Sequence, residues 1–301
     1  MKEVQLLIIG QGPAGLSAAI YASRAGIDTL VIGMKPKIDG DYAIDNYFGF
    51  ENTIQAADLM DAGRKQAIRF GTEIITERVL TIHMEEDMTY KVKTESGHYK
   101  ACAIIIAAGV SKTRSGIKNE DDYDGKGVSH CVSCDGFFYR GRQVMALGEG
   151  VYAANQALEL TSYTEKVALC TQGKKPEFGD ELKAKLDEAG IPVIEKKIET
   201  LEGENGLDRV KFDDGETFDT EGLFIAMGEA GSTDFAYTLG LERNGHYLVA
   251  NEKQETNLPG IYAAGDCVGR FLQIGVAVGE GSIAARQAIK YAKEKCPKDK
   301  S

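Results

Sequence analysis

The chain has no apolar run near the roughly 20 residues that cross a bilayer. Its first apolar stretch, Val4 to Ile9, is cut short by Gly10. Membrane insertion is therefore not expected, and the stretch reads as a buried strand rather than a secretory signal. The expected compartment is the cytoplasm. Excess positive charge is also missing: 35 Lys and Arg face 46 Asp and Glu, a formal net charge of −11. That balance argues against nonspecific nucleic-acid binding. Cysteine is sparse, six in 301 residues, and only Cys131 and Cys134 stand close together. Cys102, Cys170, Cys267 and Cys296 are scattered singly and His130 is the one histidine near the pair, too few close ligands for structural zinc. No metal is expected. A reducing cytosol also disfavours a structural disulfide, so these four thiols are read as buried or inert.

Composition is that of a globular protein, 43% hydrophobic and 27% charged, and the length suits two domains. Cys131-Val132-Ser133-Cys134-Asp135 can close a small reducible ring, which near a βαβ pattern reads as redox chemistry. The βαβ pattern opens the chain. Gly10-Gln11-Gly12-Pro13-Ala14-Gly15 follows the Val4 to Ile9 strand and precedes the helical run Leu16 to Ala22. Glycines there permit a tight turn and close backbone approach, and the helix N-terminus attracts a pyrophosphate. The acidic residue that often ends the next strand and holds a ribose is missing, because Thr29-Leu30-Val31-Ile32 ends in Gly33. Gly260-Ile261-Tyr262-Ala263-Ala264-Gly265-Asp266 supplies a matching C-terminal element, followed by an expected helix from about Gln273 to Lys293. Between them Arg142 to Leu147 leads into Gly148-Glu149-Gly150-Val151-Tyr152-Ala153 and a helical run through Leu160, a second Rossmann-like unit inserted into the first. Its turn is altered. Glu149 places a carboxylate where a pyrophosphate would approach, and Tyr152 a bulky ring where small residues are usual.

On these residues, with Asp45-Asn46-Tyr47-Phe48-Gly49, Ala107-Ala108-Gly109 and the run Gly127 to Tyr139, the chain resembles the low-molecular-weight flavoprotein thioredoxin reductases over nearly its whole length. The resemblance implies an α/β fold of two Rossmann-like domains, the second inserted into the first. It also implies bound FAD, a homodimer and thioredoxin as protein substrate. Flavin contacts are implied for Gly10, Gly12, Pro13, Ala14, Gly15, Asn46, Ala108, Gly109, Gly265, Asp266, Gln273 and Ile274. By the same resemblance Cys134 lies against the flavin, Cys131 attacks the thioredoxin disulfide and Asp135 handles protons. By sequence alone Asp135 is equally a turn former before Gly136.

The departures from that family carry as much information. Where it places a histidine and paired arginines for the 2′-phosphate of NADPH, with another arginine soon after, this chain has Val167 to Glu177, with Gln172, Gly173 and Glu177 in the arginine positions. Lys174 and Lys175 offer charge without the bidentate fork of arginine. Asp39-Gly40-Asp41-Tyr42 replaces the usual Gly-Gly-Gln-Leu, and Phe271-Leu272-Gln273-Ile274 lacks the usual arginine before glutamine. NADPH binding is expected to be weak or absent, and the pattern resembles the ferredoxin-dependent flavin thioredoxin reductases. Alternatives are an NADPH-dependent reductase with an atypical nucleotide site, an oxygen-dependent dithiol oxidase, and a noncatalytic flavin redox sensor. Arg140, Arg142, Lys112, Arg114 and Lys118 are candidates for a basic surface facing an acidic carrier. The expected division is an FAD domain over 1–111 and 247–301, with 112–246 inserted. Lys112 to Ser115 and Glu242 to Gly245 are candidate hinges.

Overall fold

The computed structural model describes the chain except for Lys37, 111–114, Cys131, 228–230, His246 and 298–301, and except for the side chains of Ser133, Cys134 and Thr233. The backbone divides into two compact units, Met1–Ser111 with Gly231–Ser301, and Lys112–Ala230.

Elements are numbered along the whole chain. The first unit holds β1 (Lys2–Ile9), α1 (Pro13–Arg24), β2 (Thr29–Ile32), β3 (Ala43–Ile44), β4 (Ile54–Gln55), α2 (Ala56–Arg69), β5 (Glu73–Ile75), β6 (Val79–Met84), β7 (Tyr90–Thr94) and β8 (His98–Ile106). After the insertion come α6 (Ser232–Leu239), β17 (Arg243–Asn244), β18 (Tyr247–Leu248), β19 (Ile261–Ala263) and α7 (Ile274–Lys295). The main sheet runs β5-β2-β1-β8-β7-β6, with β19 beside the second half of β8. Its β5, β2, β1, β8 and β19 are parallel, while β7 and β6 form an antiparallel meander. From Val4 to Ile9 every residue of β1 is buried, and all but Gln5 are apolar, as a strand covered on both faces requires. Strand order turns back between β2 and β8, so the carboxyl ends of β1, β8 and β19 form the crevice where such sheets bind ligands.

Two helices cover that sheet with unusually small side chains. Ala14, Ala18, Ala19 and Ala22 of α1 share a core with Ala277, Ala284, Ala285, Ala288 and Ala292 of α7. Without bulk between them the backbones approach closely, and a Cβ on Gly281 would lie 2.1 Å from the Ala14 carbonyl oxygen. The far end of α7 is fastened covalently. Cys102 in β8 and Cys296 just past α7 form a disulfide with Cα atoms 6.3 Å apart. This corrects the reading of both as inert thiols: their 194-residue separation hides a pairing that exists only once the fold brings them together. Cys170 and Cys267 are free and buried, as expected of inert thiols.

The second unit repeats the plan at smaller scale. Its parallel sheet runs β12-β11-β10-β16-β9, built from β9 (Val128–Ser129), β10 (Val144–Leu147), β11 (Val167–Cys170), β12 (Val193–Ile194) and β16 (Gly222–Ile225). Helices α3 (Val132–Asp135), α4 (Val151–Leu160) and α5 (Asp180–Glu188) belong to it. So does an antiparallel ladder of β13 (Ile198–Glu202), β14 (Arg209–Phe212) and β15 (Thr217–Asp219). Among the described residues no helix is long and apolar enough to cross a membrane.

Glu242 to Gly245, expected as a hinge, is instead part of the first unit. Arg243–Asn244 pairs with Tyr247–Leu248, the Glu242 N–H donates to Asn257 Oδ1 at 3.0 Å, and the Arg243 guanidinium stacks 3.8 Å from the Tyr237 ring centre. The glycine in this segment has a local cause, since Gly245 follows β17 in the left-handed conformation at φ 60°. The other candidate hinge, Lys112 to Ser115, lies outside the described residues apart from Ser115.

Candidate functional site

The first glycine turn is compressed by its own backbone. A Cβ on Gly10 would sit 2.2 Å from the Ala107 oxygen and one on Gly15 2.0 Å from the Gly10 oxygen, so both positions require glycine. Gly12 differs: a Cβ there would meet nothing within 4 Å. That open side faces the start of α1, which has Pro13 in its first turn, no side-chain cap and no acidic residue in the first turn. The arrangement leaves N–H groups and positive helix potential for an anion. Gln11, the variable position of the motif, holds the turn in place. Its buried amide donates to the Gly33 oxygen at 2.6 Å and to Thr76 Oγ1 at 3.0 Å. The missing acidic residue after β2 also has a physical reason, because a Cβ on Gly33 would come within 3.0 Å of Gly10 Cα.

The C-terminal motif arrives at the same place. The Ala264 N–H donates to the Ile106 oxygen at 3.0 Å, and Gly265 turns at φ 83° so close to α1 that its Cβ would be 2.9 Å from Ala14 Cβ. The Gly265 N–H donates to Glu280 Oε2 at 2.7 Å. Glu280 is buried in α7 and pairs at 3.2 Å with Arg270, whose guanidinium also donates to the Ala250 and Asn251 oxygens. Next to this bracket Asp266 is exposed. Asn46 Nδ2 donates to Gln273 Oε1 at 2.9 Å, and both line a cavity of about 370 Å³ with Phe271, Ile274, Gly275 and Val276. Ala108 and Gly109 follow β8 half-buried, the Gly109 oxygen accepting from Ser232 at 3.2 Å. These features suit a dinucleotide with a pyrophosphate: an open glycine, a free helix start, an exposed carboxylate and a hollow.

In the second unit Cys131 lies outside the described residues, and of Cys134 only the backbone, on α3, is described. Asp135 ends that helix and accepts a 2.7 Å hydrogen bond from Ser129 Oγ of β9. Gly136 is needed for space, since its Cβ would fall 2.6 Å from the Tyr163 ring. Tyr139 packs edge-on against Phe224, ring centres 5.3 Å apart, and its phenol is shifted upward chiefly by burial and next by the Asp135 charge. Phe137 and Phe138 stand 57% and 68% exposed. Of the basic candidates, Arg140 lies 4.5 Å over the Phe137 ring, Arg142 pairs with Glu221 at 3.0 Å and Lys118 with Glu199 at 2.6 Å. Lys112 and Arg114 lie outside the described residues.

The second glycine turn is filled by the chain itself. Glu149 is buried at the start of α4 and pairs with Lys174, while its backbone oxygen accepts from the Glu177 N–H at 2.7 Å. Its other carboxylate oxygen, Oε2, has no hydrogen-bond partner among the described residues. Gln172, at φ 55°, turns inward and makes three hydrogen bonds, to the Ser115 oxygen, the Ile198 oxygen and the Ile198 N–H. A residue in an arginine position is thus an internal brace, and the nearest lysine is spent on Glu149. Tyr152 is buried within α4.

Sequence reasoning missed Gln11, Glu280 and Arg270. The GxGxxG spacing leaves position 11 unspecified, and Glu280 reads as one charge on a long helix until the turn it braces is folded beside it.

Residues 4–281 match the family described as pyridine nucleotide-disulphide oxidoreductase. The chain is 34% identical to a thioredoxin reductase of Bacillus subtilis (strain 168), over 97% of its own length and 96% of the relative's. It is similar to the crystal structure of the atypical thioredoxin reductase TRi from Desulfovibrio vulgaris Hildenborough, with TM-score 0.96, 59% identity and coverage of 98% and 99%. A ferredoxin-flavin thioredoxin reductase from Clostridium acetobutylicum aligns with TM-score 0.74 and 28% identity over 96% and 98%. Paired Rossmann-like units, a compressed glycine turn joined to a Gly-Asp turn, and near end-to-end similarity lead to one assignment. The chain belongs to the pyridine nucleotide-disulphide oxidoreductase family, among the FAD-containing low-molecular-weight thioredoxin reductases.

Proposed function

We propose that this protein reduces thioredoxin through the Cys131–Cys134 pair, with electrons from ferredoxin rather than from NADPH. The observation that carries the choice of donor is the second glycine turn. A buried Glu149 paired with Lys174 occupies the neighbourhood of the helix start, and Gln172 is turned inward where the family presents an arginine. A nucleotide phosphate would meet an unpartnered carboxylate oxygen there and no bidentate clamp. A ferredoxin-flavin thioredoxin reductase among the similar structures supports the same reading.

Bound FAD supplies the conversion of single electrons into pairs. The chain's own groups have separate tasks. Gly12 and the start of α1 receive the pyrophosphate, with Gly10, Pro13, Ala14 and Gly15 shaping that turn. Gly265 and Asp266 would hold the sugar-alcohol chain of the flavin, and Asn46, Ala108, Gly109, Gln273 and Ile274 would bind the remainder of the group. In the disulfide unit Cys134 accepts the electron pair. The Cys131 thiolate then attacks the thioredoxin disulfide, Cys134 resolves the mixed disulfide, and the pair is left oxidised while thioredoxin leaves as the dithiol. Asp135, fixed by Ser129, takes up and returns the proton of the attacking thiol. A ferredoxin near −400 mV and a thioredoxin disulfide near −270 mV differ by about 130 mV, so two electrons release about 6 kcal/mol. By the resemblance the enzyme works in the cytoplasm as a homodimer.

The test is anaerobic reduction of the purified flavoprotein by NADPH, by NADH and by reduced ferredoxin. Both pyridine nucleotides at millimolar concentration should leave the flavin oxidised, and catalytic ferredoxin should sustain thioredoxin reduction. Rapid stoichiometric bleaching by NADPH would restore an ordinary NADPH-dependent reductase.

A further inference from the structure

A second cysteine pair stands apart from the motif assigned to catalysis. Cys102 is buried in β8, the strand that pairs with β1 along its length and leads into Ala107, against which the Gly10 turn is pressed. Cys296, half-buried, closes α7, the helix that begins at the cavity-lining Ile274 and carries Glu280 and Gly281 against the two flavin turns. The disulfide therefore ties together two elements that shape the same cradle. It is also the main anchor of the last turn. Beyond Ala292 the helix carries exposed Lys293, Glu294 and Lys295, and among the described residues Cys296 is otherwise held by a 2.8 Å hydrogen bond from Gln5 Nε2 to its oxygen and by its own N–H donating to the Ala292 oxygen at 2.9 Å.

We propose that Cys102–Cys296 is a redox switch on the flavin cradle, opened by a protein dithiol, namely the reduced thioredoxin that the enzyme itself makes. The source of that dithiol rests on the function proposed above. Access is one-sided, since the Cys296 sulfur belongs to the half-buried partner. A thioredoxin thiolate attacks Cys296 Sγ, the S–S bond breaks, and Cys102 leaves as a thiolate and takes up a proton. The second thioredoxin sulfur then attacks the mixed disulfide and releases Cys296, which is protonated in turn. Two electrons and two protons pass from thioredoxin to the pair. Disulfides that form in a reducing compartment are usually transient and catalytic or redox-sensing. Opening frees the end of α7 and loosens its hold on the Gly265 turn, so a rising level of reduced thioredoxin feeds back on flavin retention.

The test uses the FAD-loaded C131S/C134S protein, in which only this pair can exchange, so its outcome does not depend on the electron donor. Samples are treated with nothing, with dithiothreitol or with reduced thioredoxin, quenched with N-ethylmaleimide and examined by peptide mass spectrometry and thermal melting. Untreated protein should carry no label on Cys102 or Cys296. Both reductants should label the two peptides, lower Tm by at least about 5 °C and speed release of FAD, and C296S should melt low under all three conditions. Label on the untreated protein, resistance to either reductant, or labelling without a fall in Tm and faster FAD release would each overturn the proposal.

Discussion

At the scale of single residues the site is governed by contacts too short to tolerate a methyl group. Gly15→Ala would drive its Cβ to 2.0 Å from a carbonyl oxygen at the centre of the turn. The expected outcome is protein purified with little or no FAD, checked by the ratio of flavin to protein absorbance. Gln11→Ala acts more gently. It strips buried hydrogen bonds from the Gly33 oxygen and Thr76, and should cost about 1–3 kcal/mol in chemical denaturation. Asp135→Asn keeps the shape but removes the carboxylate assigned to proton transfer in the proposed mechanism, so thioredoxin reduction should slow about 10²-fold or more. Flavin reduction should be spared in that variant, which separates proton handling from electron entry. The glycine turn was legible from spacing alone, whereas the cysteine pair stays a reading of spacing, since Cys131 and the Cys134 side chain lie outside the described residues. Gln11, Glu280 and the Cys102–Cys296 pairing were not, because each acts on a partner distant in sequence or on a turn that composition does not reveal.

Elements show the same division between local and distant causes. β1, α1, the strand before the second glycine turn and α7 fall where apolar patterning and glycine punctuation place them, α7 running Ile274–Lys295 against an expected start near Gln273 and end near Lys293. In sequence the β17–β18 hairpin resembles a linker, because glycine and charged residues are as common in joints as in small surface ladders. Contact between α1 and α7 rests on small residues, so Gly281→Ala, with its Cβ 2.1 Å from the Ala14 oxygen, should push the helices apart and cost about 1–3 kcal/mol. A lower melting temperature and weaker FAD retention should appear together. Two free thiols are buried, Cys170 at the end of β11 and Cys267 in the turn after Asp266, and burial pushes Cys170 up to about 11 and Cys267 up to about 12. Unfolding returns both to about 8.5, so the native state holds more protons between the two values. Stability contributed by the neutral thiols is complete below about pH 8.5 and declines as pH rises through about 11. Denaturation at pH 8 and pH 10 should show the loss, and native alkylation at pH 8 should spare both cysteines.

For the whole molecule, net charge and covalent connectivity matter most. If the proposed acidic carrier is the donor, a chain of −11 meets it against its mean field, and productive encounter then needs a local basic surface. Two of the candidates, Arg142 and Lys118, already carry acidic partners, and Arg140 stacks on an exposed aromatic ring. Added salt should lower the rate with ferredoxin if a basic patch steers the encounter. A rate indifferent to salt between low and physiological ionic strength would place recognition on apolar contacts such as Phe137 and Phe138 instead.

Joining Cys102 to Cys296 makes the polypeptide between them, which includes the whole inserted unit, a closed ring. A single cut in the Gly203 to Gly206 turn, between β13 and β14, therefore opens the ring without dividing the molecule. On a gel run without reductant the nicked protein should stay one species, and with reductant it should part into two. While that bond is closed, backbone cleavage anywhere in the insertion changes topology and adds one water, with no fragment lost.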